Sequence, residues 1–154
     1  MRVARLLAII MGLIACSSPS REDADPAARR ECTEQATRDG LGIYARVIDA
    51  KPVREDPPLK AVVPKRTVGV KLYVVPDKGV TAAYLEHAAR CYAGSSRLPS
   101  IPSDPLRPPG GISSVRVDRS GSAFVVTIMG SNSAIGAEIW SSAQEVLASN
   151  RQKR

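Results

Sequence analysis

Twelve of the 154 residues are proline, and most of them crowd into two stretches, Pro52–Pro64 and Pro99–Pro109. Proline has no amide hydrogen and a fixed φ, so neither stretch suits a helix interior or a central strand. The sequence therefore predicts extended connections there, with regular structure before, between and after them. In the second stretch Pro99, Pro102, Pro105 and Pro108 recur every third residue. A polyproline II helix has three residues per turn, which would align them on one edge. Such a segment serves as a stiff connector, or as an edge that docks into an aromatic groove of a partner.

Before the first proline stretch, Asp25-Pro26 reads as a helix start, with an acceptor at the N-cap and proline at the first helical position. The spacing of Ala28, Cys32 and Ala36 predicts a buried stripe on a helix running to about Asp39, with Gly40 as its stop. Ile43–Ile48 is a short apolar run that suits either helix or strand. Between the stretches, Val68, Val70, Leu72 and Val74 alternate on one face of a strand. A helix follows, capped by Thr81, with Tyr84, Leu85, Ala88, Cys91 and Tyr92 on its apolar face and Gly94 at its end.

After the second stretch, Val115 and Val117 face inward on one strand, and Phe124, Val126 and Ile128 on the next. Arg119-Ser-Gly121 supplies the hairpin turn between them. Asn132 or Ser133 caps a third helix with Ile135, Ile139, Ala143 and Val146 on its core side, and a basic tail, Arg151–Arg154, suits its C-terminal dipole. The expected fold is α+β: a three-stranded antiparallel or mixed sheet in a βαββα core, helices on one face, and a preceding N-terminal helix. No internal repeat is visible. That core resembles small α/β modules of the envelope and the split βαβ group. Tyr84–Gly94 and Val115–Leu147 are similar to uncharacterised exported proteins of Gram-negative bacteria, a resemblance that implies no activity.

The chain opens Met1-Arg-Val-Ala-Arg5, two positive charges before the apolar run Leu6–Ile14. This is the pattern of an export signal. As a helix the run extends only about 13 Å, well short of a hydrocarbon core of about 30 Å. Leu13-Ile14-Ala15-Cys16 follows and resembles the lipobox of bacterial lipoproteins: a branched apolar residue, a small residue before the cut, then the acceptor cysteine. The resemblance implies removal of residues 1–15 and a membrane-lipid anchor on Cys16 through a thioether. With Ser17 next, where an inner-membrane retention signal typically has Asp, it further implies the outer membrane, with the domain facing the periplasm. Residues 16–25 then form a polar, flexible lipidated tether. Residues 26–150 form a single domain, and 151–154 its basic tail.

An apolar share of 44% and a charged share of 24% are ordinary for a chain that buries a core. Loss of Arg2 and Arg5 with the leader lowers the formal charge from +7 to +5. In the envelope such an excess meets anionic headgroups and cell-wall polymers, with no nucleic acid as partner, and charge alone supplies only weak, salt-sensitive attraction. With His87 the only histidine, no nucleophile–base–orienter set is legible. There is no G-x-S-x-G elbow, P-loop or H-E-x-x-H signature, so neither an enzyme nor a cofactor is expected.

Two readings of Cys91 stay open. With Cys16 committed to lipid, Cys32 and Cys91 remain as a pair, both on apolar helix faces in an oxidising compartment, and a disulfide between them is expected. Alternatively His87 and Cys91, four residues apart on one helix, begin a soft-metal site, which would need further donors such as Cys32 or Met129. The expected function is accordingly an outer-membrane lipoprotein with a non-catalytic interaction domain for another envelope protein or cell-wall polymer. The competing one is a periplasmic soft-metal binder.

Overall fold

The computed structural model describes residues 31–56, 65–95 and 103–153. The leader, Cys16, the tether, the Asp25-Pro26 start, Ala28, Pro99 and Pro102 lie outside the described residues. Among the described residues the architecture is α+β: three α-helices and a four-stranded, wholly antiparallel sheet in the order β1-β2-β4-β3. The elements are α1 (Glu34–Gly42), β1 (Val47–Glu55), β2 (Arg66–Val74), α2 (Ala82–Ala93), β3 (Ile112–Ser120), β4 (Ala123–Gly130) and α3 (Ser133–Gln152). After α1, the chain therefore runs ββα twice, with the second strand of each unit at the centre of the sheet. No sequence repeat announces this, because the two units share their order of elements and not their residues.

The expected three strands become four. The run Ile43–Ile48, which suited either helix or strand, divides: Tyr44–Arg46 form a 3-10 turn and Val47 opens β1, whose alternation is broken because Ile48 is an extra residue between the pairs Val47↔Val74 and Asp49↔Tyr73. This bulge lets Val47 and Ala50, three positions apart, both face the core, and leaves Ile48 40% exposed. Pro52 also lies within β1, opposite Val70, where the first proline stretch was expected to be an extended connection. An edge strand tolerates proline because one side of its ladder is open.

The core lies on one face of the sheet. Val70, Leu72 and Val74 of β2, Phe124, Val126 and Ile128 of β4, and Val115 and Val117 of β3 pack against Leu85, Ala89 and Tyr92 of α2 and Ile139 and Ala143 of α3. α2 lies over β3, whereas α3 crosses β2 and β1. Gly136 permits that crossing, since a Cβ there would come within 2.5 Å of the Val68 Cα. Thr81 and Asn132 cap α2 and α3 through their side chains, accepting from the amides of Tyr84 and Ile135. The hairpin turn is Gly121-Ser122, one step beyond the expected triplet, with Gly121 at φ 61° as a two-residue turn requires.

α1 differs from the expected first helix. Residues 31–33 are not helical; the N-cap is Thr33, which accepts from the Ala36 amide, and the helix runs on through Gly42. Gly40 is no stop: it is buried at the contact with α2, where a Cβ would strike the Ala88 carbonyl oxygen and stand 2.6 Å from the Tyr92 Cβ. At the other terminus α3 continues through Gln152, so Arg151 is helical. No helix among the described residues is long and apolar enough to cross a membrane.

Candidate functional site

Cys32 and Cys91 are joined by a disulfide, with their Cα atoms 5.4 Å apart. Cys91 lies on the buried face of α2. Cys32 sits one residue ahead of the Thr33 cap and is exposed, so the bridge ties the lead-in to α1, not its apolar face, onto α2. His87 is buried one turn before Cys91, its Nε2 3.6 Å from the Cys91 Sγ. The structure thus brings together the two residues considered for a soft metal, but the sulfur already bonded to Cys32 is not the thiolate a metal ligand requires. With the bridge closed, no three His, Cys, Asp or Glu side chains among the described residues converge to hold an ion. Met129, the other donor considered, lies on β4 with its side chain on the opposite face from the core residue Ile128.

The second proline stretch holds the polar cluster that sequence reasoning missed. Asp104, Pro105, Leu106 and Pro108 are buried, so residues 103–108, part of the expected connection between α2 and β3, plug the end of the core, and Pro105 and Pro108 do not lie on an exposed edge. Asp104 makes the plug possible. Its carboxylate accepts from the Tyr44 hydroxyl, from the Tyr92 hydroxyl at 2.6 Å and from the Leu106 amide at 3.0 Å. The Tyr44 oxygen accepts from the same amide at 3.0 Å.

Tyr44 comes from the 3-10 turn Tyr44–Arg46 between α1 and β1, and Tyr92 from α2. Their rings meet edge to face at 6.2 Å, and the Arg107 guanidinium lies 5.6 Å above the Tyr92 ring. Burial first, and then the Asp104 carboxylate, raise both phenol pKa values well above the ordinary tyrosine value. Both phenols therefore stay protonated as donors, which fits a latch and gives neither group the ionised form of a base or nucleophile. Asp-Pro at 104–105 was the available signal, since aspartate before proline initiates turns.

The face of the sheet away from the helices carries a different surface. One row across the four strands reads Lys51, Lys71, Thr127, Arg116, and the next reads Asp49, Tyr73, Val125, Asp118. Lys51, Lys71 and Arg116 are exposed, the Lys51 Nζ stands 5.1 Å from the Tyr73 ring centre, and Arg116 pairs with Asp118 at 3.1 Å. No described helix packs on this face. The groove between the end of α2 and the start of β3, about 520 Å³, is lined by Arg90, Ala93, Gly94 and residues 111–115 and contains no histidine, cysteine or carboxylate. Comparison with protein-family models, curated proteins and solved structures returns no match.

Proposed function

We propose that this chain is an outer-membrane lipoprotein anchored through Cys16, whose α+β domain is a non-catalytic module that docks on an anionic cell-wall polymer in the periplasm. The observation that carries the docking half is the sheet's uncovered face, crossed by the cations Lys51, Lys71 and Arg116 beside the Tyr73 ring. Lysines set across adjacent strands at about 5 Å spacing suit a linear polymer bearing carboxylates or phosphates. An aromatic ring next to them gives the apolar face of a sugar a place to rest.

The anchoring half rests on the run from the basic leader to Cys16. The Cys32–Cys91 disulfide supports export, because such bridges persist in oxidising compartments and this one leaves Cys16 as the remaining thiol. Two or three acyl chains, at about 0.8 kcal/mol per buried methylene, would make attachment effectively permanent.

The test has two arms. Palmitate labelling in cells should tag the wild-type chain and disappear with Cys16→Ser; equal labelling of that variant overturns the anchoring. The Cys16→Ser protein should co-sediment with purified cell-wall sacculi at low salt. It should lose about tenfold in affinity when Lys51 and Lys71 are both changed to Glu. Undiminished sedimentation of that double variant, or binding to anionic vesicles in place of sacculi, overturns the polymer reading.

A further inference from the structure

The two edges of the sheet are protected in different ways. β1 carries Pro52 and two register shifts, at Val47/Asp49 and Val53/Arg54, which disrupt its outer row of backbone groups. β3 has no proline, and its single shift, at Ile112/Ser114, leaves residues 114–120 regular. What covers its backbone instead is a pair of side chains from α2. The Glu86 Oε2 accepts from the Val117 amide at 2.7 Å, and the Arg90 Nε donates to the Val115 carbonyl at 3.3 Å. Arg90 and Glu86 are themselves paired at 2.7 Å. Together they supply the acceptor and the donor that a neighbouring strand would supply.

We propose that β3 is a latent pairing edge for a second copy of this chain, and that the Glu86–Arg90 pair holds it shut. The sequence of β3 selects this partner. In an antiparallel ladder Val115, Val117 and Arg119 all direct their amides and carbonyls outward, so two β3 strands related by a two-fold axis can pair with Val117 opposite Val117. That register sets Val115 opposite Arg119. It also brings Arg116 opposite Asp118 of the second copy, and Asp118 opposite its Arg116, on the exposed face where both charges already stand. Opposite charges directly across a strand pair stabilise it and like charges oppose it. The result is one eight-stranded sheet with the helices of both copies on the same side. The wild type, with the pair closed, is monomeric.

The assay is size exclusion with light scattering on the Cys16→Ser protein, so that no acyl chain drives association. Glu86→Ala should form a dimer at least about tenfold tighter than any wild-type association. Glu86→Gln, which keeps an oxygen acceptor for the Val117 amide, should remain monomeric. In the Glu86→Ala background, Asp118→Arg places arginines opposite one another twice and should weaken the dimer about tenfold. Adding Arg116→Asp should restore it. If Glu86→Ala does not fold, Arg90→Ala opens the same edge at the Val115 carbonyl and should dimerise in its place. A folded Glu86→Ala or Arg90→Ala protein that stays monomeric at millimolar concentration overturns the proposal, as does a dimer indifferent to Asp118→Arg.

Discussion

Replacing Asp104 with alanine removes the acceptor on which α2, the 3-10 turn and the loop before β3 converge. Its carboxylate takes three hydrogen bonds, from the Tyr44 hydroxyl, the Tyr92 hydroxyl and the Leu106 amide, at a site only 6% exposed. A hydrogen bond to a charged group contributes about 1.5–3 kcal/mol, and a buried donor left unpaired costs about 1–3 kcal/mol. The Leu106 amide keeps the Tyr44 oxygen as its acceptor, so only the two phenols are orphaned. The expected loss is therefore about 3–5 kcal/mol, a large share of the 5–15 kcal/mol that holds a typical domain together. With a urea dependence of about 1–3 kcal/mol per molar, the unfolding midpoint should fall by roughly 2 M. Tyr92→Phe is the control, because it removes one of the three donors, leaves the Tyr44 hydroxyl and the Leu106 amide on the carboxylate and should cost only about 1.5–3 kcal/mol. An Asp104→Ala protein within about 1 kcal/mol of wild type would refute the latch, and so would a Tyr92→Phe loss as large as that of Asp104→Ala.

The same cluster makes stability fall at alkaline pH. The phenols of Tyr44 and Tyr92 titrate above the unfolded value of about 10, so the unfolded chain releases their protons first. Their contribution is full below pH 10 and is lost above it at up to about 1.4 kcal/mol per pH unit for each phenol, an effect that denaturation measured from pH 8 to 11 should reveal and that Tyr44→Phe should roughly halve. Reducing the Cys32–Cys91 bridge, or changing both cysteines to serine, opens a loop with a sequence separation of 59 and should cost about 4 kcal/mol in the chain-entropy model, read by melts with and without a thiol reductant. Gly40→Ala should destabilise by about 1–3 kcal/mol, because the new methyl meets the backbone of α2. Gly42→Ala, whose methyl would meet only the Arg46 side-chain tip at 3.3 Å, should instead gain up to about 1 kcal/mol of helix propensity; equal effects at the two sites would show that helix packing does not set the sign.

Residues whose role follows from local periodicity were legible in the sequence. Val70, Leu72 and Val74 alternate because a strand side chain repeats every two residues, and the structure buries all three. Ile139 and Ala143 are one helical turn apart and both reach the core, while Thr81 and Gly94 bound α2 as its N-cap and C-cap. The pairing of Cys32 with Cys91 followed from cysteine arithmetic, although the helix expected to carry Cys32 begins only at Glu34.

What the sequence could not express depends on contacts made across the chain. β1 is a strand because β2 offers it a ladder, and its bulge at Ile48 erases the alternation that would have revealed it. Residues 104–106 are buried because Tyr44 and Tyr92, 60 and 12 residues from Asp104, satisfy its carboxylate. Composition alone would keep that carboxylate in water. Gly40 reads as a terminator in one dimension and becomes a contact point only once α2 lies against it. Periodicity and capping are local and survive in the sequence; strand neighbours, bulge tolerance and the partners of a buried charge are settled by which distant segments the core brings together.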